Sequence, residues 1–307
     1  DPWGYSSTSA VYRTDYANDT ASPSPKGPLT KARASIASAS AREGGMSGTA
    51  LGPYATRIRF IDNLPIDSGT IVNNFGYFGG GQNPSNPSGT STIDRMDFAS
   101  DTSGATPRSS FLYNTGFSIG SGADQREFKI TTGNTNFGYF LGDPNSVCER
   151  LDYSNDTNRP VLRGLWARFL YPAYPSPYYM AYVHGPGAGF GNSSFGYFGG
   201  GNRSQISRID YSNDNADMTV NGFLSSYRNH GTASGNSSFG YFAGGRGGPG
   251  SDVSTVDRID YANDTATAST KGPLASSVRY AAGTGNADFG YVFGGEYSDG
   301  SRVQRID

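Results

Sequence analysis

The sequence predicts an all-β chain folded as a β-propeller, in which four-stranded antiparallel sheets repeat around one axis. Three observations predict it. An aromatic phrase occurs five times, at Phe75-Gly76-Tyr77-Phe78, Phe137-Gly138-Tyr139-Phe140, Phe195-Gly196-Tyr197-Phe198, Phe239-Gly240-Tyr241-Phe242 and Phe289-Gly290-Tyr291-Val292, with a worn copy at Trp3-Gly4-Tyr5. In four of these five a glycine pair follows closely. A second phrase, best preserved from Val256 to Thr265, ends its strand on an aspartate that recurs at Asp15, Asp62, Asp97, Asp152, Asp210, Asp260 and Asp307. Seven units at roughly fifty-residue spacing match the length of a propeller blade.

Each phrase has a physical reason to be a strand. Two rings separated by one glycine project from the same face, and the glycine leaves the other face bare enough for a neighbouring backbone to approach. The glycine pair allows positive φ and a sharp exit. In the second phrase Val256, Arg258 and Asp260 share one face, while Asp257, Ile259 and Tyr261 share the other. Asn263, Asp264 and Thr265 then supply short polar side chains that bond to nearby backbone in a turn.

In chain order, the first unit reads Tyr12-Arg13-Thr14-Asp15-Tyr16-Ala17-Asn18-Asp19-Thr20, followed by Lys26-Gly27-Pro28-Leu29 and Arg33. The second is eroded: Gly44-Gly45 stands where an aromatic strand should end, and only Arg57 to Asp62 keeps a strand pattern. In the last unit Lys271 to Leu274 leads to an innermost strand at Arg279-Tyr280-Ala281-Ala282, a turn at Gly285-Asn286, the aromatic strand at Phe289 and the strand ending at Asp307. A fourth strand is expected through Thr265 to Ser269. Two units carry insertions, near 103–125 and 158–190, and the second holds Trp166, Tyr171, Tyr174, Tyr178 and Tyr179 among Pro172, Pro175 and Pro177. Residues 1–307 are read as a single propeller domain of seven blades, with six as the alternative. The chain opens at a middle strand and ends at the following one, which suits a ring closed by both termini or a stretch of a longer array.

The order of glycine pair, Arg-x-Asp-Tyr strand, turn, Pro-Leu, arginine and aromatic strand resembles the kelch repeat. The wording of residues 257–265, of Lys271-Gly272-Pro273-Leu274 and of Phe195 to Gly201 is similar to arrays in virion structural proteins of cyanophages and related marine bacteriophages. This resemblance implies a kelch-like propeller in a non-enzymatic tail, fibre or capsid-surface protein. Such a protein would sit at the virion surface or tail, outside the cell, and bind other virion proteins, identical copies or a host surface glycan. Two other classes stand beside it: a secreted carbohydrate-active propeller enzyme, and a subunit that only builds a fibre or lattice.

The side-chain inventory agrees with binding rather than chemistry. A net charge of −2 gives no general attraction to nucleic acid or to an anionic membrane, and no window of 18 apolar residues suits a membrane-spanning helix. Only His184, His230 and Cys148 stand beside the carboxylates, at none of the spacings of a metal or nucleophile motif, so no catalytic residue, metal or cofactor is expected. His230 reads as a structural histidine at a strand position matched by Ala281. The Asp-Tyr-x-Asn-Asp-Thr turns offer oxygens to calcium, but without the glycine and distal glutamate of a calcium loop they read as shared blade turns. Arg95, Arg150, Arg208 and Arg258 lie one face-step from Asp97, Asp152, Asp210 and Asp260, and an ion pair or hydrogen-bonded strut between strands is expected of them. Ligand binding is placed on Trp166, Tyr171, Tyr174, Tyr178 and Tyr179, whose rings offer flat faces to a sugar or a protein.

Overall fold

A computed structural model describes residues 9–13, 18, 22–32, 37–40, 75–80, 90–112, 130–142, 147–164, 187–201, 203–248, 250–285, 288–295 and 303–307. Their strands form one ribbon and five sheets, every pairing within them antiparallel. The ribbon pairs β1 (Val11–Arg13) with β2 (Ser24–Lys26). Sheet I runs β3 (Ala37–Ser40), β4 (Phe75–Gly79), β5 (Thr92–Asp97), β6 (Thr106–Ser110). Sheet II runs β7 (Ile130–Gly133), β8 (Phe137–Gly142), β9 (Val147–Asp152), β10 (Val161–Arg163). Sheet III contains β11 (Gly187–Gly191), β12 (Phe195–Gly200), β13 (Arg203–Asp210), β14 (Thr219–Asn229) and β17 (Arg246–Gly247). Sheet IV contains β15 (Thr232–Gly235), β16 (Phe239–Ala243), β18 (Val256–Asp260) and β19 (Ser269–Lys271); sheet V contains β20 (Ala282–Gly285), β21 (Gly290–Phe293) and β22 (Val303–Ile306).

The sheets are arranged as a propeller. Their first strands, β3, β7, β11, β15 and β20, touch in that order and form the inner wall, and each sheet then meanders outward. The aromatic phrase is the second strand of its sheet and the arginine-aspartate phrase the third, in one register: Tyr77 faces Arg95, Tyr139 faces Arg150, Tyr197 faces Arg208 and Tyr241 faces Arg258. Because every inner sheet is covered on both faces by its neighbours, both faces of the third strand are apolar or tightly bonded. Val256, Asp257 and Ile259 are all buried. The glycine pairs exit at positive φ as their composition requires, at Gly200 and Gly201, Gly244 and Gly245, and Gly294 and Gly295.

Among the described residues one ribbon and five sheets stand where the sequence predicts seven units, and Asp62, the end of the predicted second unit, lies outside the described residues, between the paired strands β3 and β4. Three further expectations change. The innermost strand of sheet V begins at Ala282 rather than Arg279, since Tyr280 has φ 56° and an extended strand excludes that value. The fourth strand of sheet IV begins at Ser269, because Tyr261 to Asn263 form a single turn of 3-10 helix and the chain needs the next residues to reverse. The bare face of the aromatic strand admits side chains rather than backbone: a Cβ on Gly196 would lie 2.4 Å from Thr132 Cγ2, and one on Gly240 2.3 Å from the Phe190 ring.

Close approach along the inner wall has a measurable consequence. A Cβ on Gly189 in β11 would lie 2.2 Å from the Thr131 carbonyl oxygen in β7, a backbone atom that cannot rotate away. Gly189→Ala is expected to lower unfolding free energy by about 2–4 kcal/mol. Gly272→Ala, which meets nothing within 4 Å, should stay within about 0.5 kcal/mol of the parent or slightly above it. Urea denaturation of the two variants checks both values.

Candidate functional site

The repeated polar residues build one structure, a joint between consecutive sheets. Asp97, Asp152, Asp210 and Asp260 each accept the backbone N–H two residues ahead, from Ala99, Ser154, Ser212 and Ala262 at 2.8–2.9 Å, and so cap the 3-10 turn that follows. That turn fixes a second carboxylate four residues on, at Asp101, Asp156, Asp214 or Asp264. This second carboxylate receives donors from the sheet before it.

Asp156 of sheet II accepts Tyr77 Oη at 2.9 Å and Arg95 Nη1 at 2.9 Å on one oxygen, and Arg108 Nε and Nη2 at 2.9 and 2.7 Å on the other, all from sheet I. Asp214 of sheet III accepts Tyr139 Oη at 2.7 Å and Arg150 Nη1 at 2.6 Å, with Arg163 Nε at 3.1 Å. Asp264 of sheet IV accepts Tyr197 Oη at 2.8 Å, Arg208 Nη1 at 2.7 Å and Asn221 Nδ2 at 3.1 Å. The ribbon offers Asp101 of sheet I Arg13 at 2.6 Å and Lys26 at 3.3 Å. Stacked tyrosines brace the same joints, Tyr77 on Tyr153, Tyr139 on Tyr211 and Tyr197 on Tyr261, with centroids 4.8, 4.9 and 5.0 Å apart. Each arginine also lies over the phenylalanine two residues before that tyrosine: Arg95 over Phe75, Arg150 over Phe137, Arg208 over Phe195 and Arg258 over Phe239, at 4.1–4.4 Å.

Spacing along one strand pointed to the aspartate two residues away as the arginine's partner. That pair is present at Arg305 and Asp307, 2.8 Å apart. In sheets I to III the arginine instead crosses to the next sheet, because the nearer carboxylate is turned back onto its own 3-10 turn. The same contacts account for the oxygen-rich turns that suggested calcium: their inner carboxylates are saturated by guanidinium and phenol groups.

A second joint went unread in the sequence. A buried acceptor in the third strand, immediately before the arginine, takes a backbone N–H from the fourth strand of the previous sheet or from the connection leaving it. Asp94 takes Thr30 N at 3.2 Å, Glu149 takes Leu112 N at 2.9 Å, Asp257 takes Ser225 N at 2.9 Å and Gln304 takes Ser276 N at 3.0 Å. An apolar residue one or two positions before the donor plugs the gap between sheets: Leu29, Phe111, Leu224 and Leu274 are all buried. At this joint the fully buried Arg228 of β14 in sheet III reaches Asp257 of sheet IV and donates to Thr255 O at 2.7 Å. The available signal was an acceptor one residue before each third-strand arginine, which varies among Asp, Glu, Ser and Gln and so hides from a motif search.

Of the remaining predicted residues, Trp166, Tyr171, Tyr174, Tyr178, Tyr179 and His184 lie outside the described residues. So do 113–129 and 165–186, the central parts of the two insertions. Both insertions fall in the connection from a fourth strand to the next innermost strand, β6 to β7 and β10 to β11. Cys148 is buried in the core between sheets II and III. His230 is not in a strand, and its structural counterpart is Tyr280, not Ala281: both stand two residues before an innermost strand with φ 56°. Among the described residues no helix is long and apolar enough to cross a membrane.

No family model matches this sequence, and no characterised protein matches it. A solved structure, "Structure of YjhT", shares 11% sequence identity with it, covering 74% of this chain and 71% of that one at a TM-score of 0.47. A likeness at that level carries no argument.

The joints carry a pH signature. Burial pushes Asp156 and Asp264 upward, but hydrogen bonds from Arg108 and Tyr77, and from Tyr197, Asn221 and Arg208, outweigh it and hold both below the usual carboxylate range. Their contribution to stability is therefore complete above the ordinary carboxylate pKa of about 4 and is lost as pH falls below it. Tyr77, Tyr139 and Tyr197 are shifted well up, by burial first and then by their carboxylates, so stability is also lost as pH rises past about 10, where an unfolded tyrosine ionises. Thermal melts from acid to alkali should trace both limbs. Asp264→Asn should flatten the acid limb and cost about 2–3 kcal/mol at neutral pH, with Tyr197→Phe costing about 1–2 kcal/mol.

Proposed function

We propose that this chain is a non-enzymatic binding scaffold of a virion surface, tail or attachment apparatus. Six kelch-like units make up the propeller on this reading: sheets I to V, and a unit represented by the ribbon, whose Arg13 and Lys26 take the third- and fourth-strand roles at Asp101. The observation that carries the reading is where the repeated polar chemistry goes. The repeated tyrosines and arginines of sheets I to III reach the repeated aspartates of the next sheet, so what repeats there serves rigidity. The two insertions lie in fourth-to-innermost connections, after β6 and β10, while residues 41–74 join an innermost strand to a second strand. Rigid sheets that carry variable connections suit recognition of a partner.

The aromatic insertion supplies the contact surface. Trp166, Tyr171, Tyr174, Tyr178 and Tyr179 would lie against a host surface glycan or a neighbouring virion protein, and charge takes no part, since the net charge is −2.

Immobilised protein exposed to a panel of bacterial surface polysaccharides should retain a subset of them without releasing new reducing ends. The double variant Tyr174→Ala, Tyr178→Ala should weaken retention at least about tenfold. Steady release of reducing ends would make the chain a carbohydrate-active enzyme. Ordered self-assembly with no retained glycan would make it a lattice subunit. Either outcome overturns the proposal.

A further inference from the structure

At the joints between sheets I and II, II and III, and III and IV, a turn of the form Tyr-x-Asn-Asp enters from the later sheet: Tyr153 to Asp156, Tyr211 to Asp214 and Tyr261 to Asp264. Its tyrosine stacks on the second-strand tyrosine of the earlier sheet, and its aspartate takes that tyrosine's phenol and the third-strand arginine. At the second joint the incoming Tyr211 phenol also lies 2.8 Å from Thr132 Oγ1 and 3.2 Å from Gly133 O, at the end of β7. At the third, Tyr261 donates to Gly191 O at 3.2 Å, at the end of β11.

Sheet IV repeats the receiving groups towards sheet V. Tyr241 faces Arg258 in the shared register, and Lys271 stands two residues past the strand partner of Arg258, as Lys26, Arg108 and Arg163 stand in their units. Among the described residues Arg258 lies over Phe239 but forms no ion pair, and no tyrosine stacks on Tyr241. Tyr241 is half-buried where Tyr77, Tyr139 and Tyr197 are fully buried. Gly290 is half-buried too, whereas its counterparts Gly196 and Gly240 lie beneath the phenols of Tyr211 and Tyr261. Ser234, the counterpart of Thr132, is 3% exposed, and its hydroxyl has no hydrogen-bond partner among the described residues. A buried hydroxyl in that condition is costly until a partner reaches it. Gly272 completes the set. At the same point of their units Gly27 and Gly164 donate to the carbonyl of the incoming aspartate at 2.7 and 2.8 Å, and a Cβ on either would overlap the turn, yet Gly272 meets nothing within 4 Å.

From these groups we infer a docking socket between sheets IV and V for a Tyr-x-Asn-Asp turn of a partner polypeptide. The turn's carboxylate takes the Tyr241 phenol, Arg258 and Lys271, its tyrosine ring stacks on Tyr241, and its phenol serves Ser234 Oγ and Gly235 O. A polypeptide turn fits because a phenol and a carboxylate three residues apart meet both ends of the socket at once, as they do at the three earlier joints. The turns of this form among the described residues, at Tyr153, Tyr211 and Tyr261, are all seated in those joints, so the occupant proposed is a second polypeptide. The socket is separate from the aromatic insertion and stands whichever ligand that insertion meets.

The probe is a fluorescently labelled peptide with the sequence of residues 260–271, titrated with the intact chain and followed by anisotropy. Binding should saturate with a Kd of about 1 mM or tighter and weaken as salt rises. Asp264→Asn or Tyr261→Ala in the peptide should each weaken it about tenfold. Gly272→Ala in the chain should abolish it while the fold is kept, because the new Cβ stands where the turn's backbone must pass. Failure to saturate by about 1 mM, or equal binding of a scrambled peptide, overturns the socket. Undiminished binding by a folded Gly272→Ala overturns it too, and so does undiminished binding of the Asp264→Asn peptide, which tests the socket even if the chain variant fails to fold. Polysaccharide retention without peptide binding sinks this inference alone, whereas peptide binding without retention upholds the socket and sinks the glycan reading.

Discussion

The structure depends on a carboxylate that belongs to one sheet and is satisfied by another. At Asp156, Asp214 and Asp264 a phenol and one or two guanidinium or amide groups arrive from the preceding sheet, and the tyrosines above them stack. A charge withdrawn this far from water is tolerable only when its partners are all present. The neighbouring sheet is therefore a condition for each sheet rather than an addition to it, and the constraint passes along the row from the ribbon's Arg13 to Asp264.

Several oddities of composition follow from that constraint. In the first Lys-Gly-Pro-Leu phrase the glycine has no side chain because the next sheet's turn occupies the space: Gly27 donates to Asp101 O at 2.7 Å, and a Cβ there would overlap the Ser103 carbonyl, whereas Gly272 of the other copy faces open space. Gly164 stands in the same relation to Asp214 and Ala216. The leucine that closes the phrase seals the gap beside the second joint. Low overall charge and many tyrosines are what result when the charges are paired across interfaces and the phenols serve as both packing and donors.

Rigidity of this kind separates scaffold from loops. The carboxylate joints lie among the second, third and fourth strands, and the second joint uses only the first residues past the fourth strand, such as Leu112, so the connections after β6 and β10 can lengthen beyond it without disturbing a clasp. His230 and Tyr280 belong to the corresponding connections after β14 and β19, which is why a strained aromatic pair can be held there without straining the sheets.

The sequence by itself determined the repeat, the strand faces and the propeller, because side-chain alternation and glycine placement are local properties that a linear pattern records. It also marked the recurring arginines and aspartates as parts of one device. Only the tertiary structure decided which partner each one takes: Arg95 and Asp97 are neighbours along a strand, yet Arg95 reaches Asp156, 61 residues away, because Asp97 is turned into its own 3-10 cap. His230 looked like an ordinary strand residue until its φ was known. Partner choice and backbone handedness depend on which segments meet in space, and composition does not encode that.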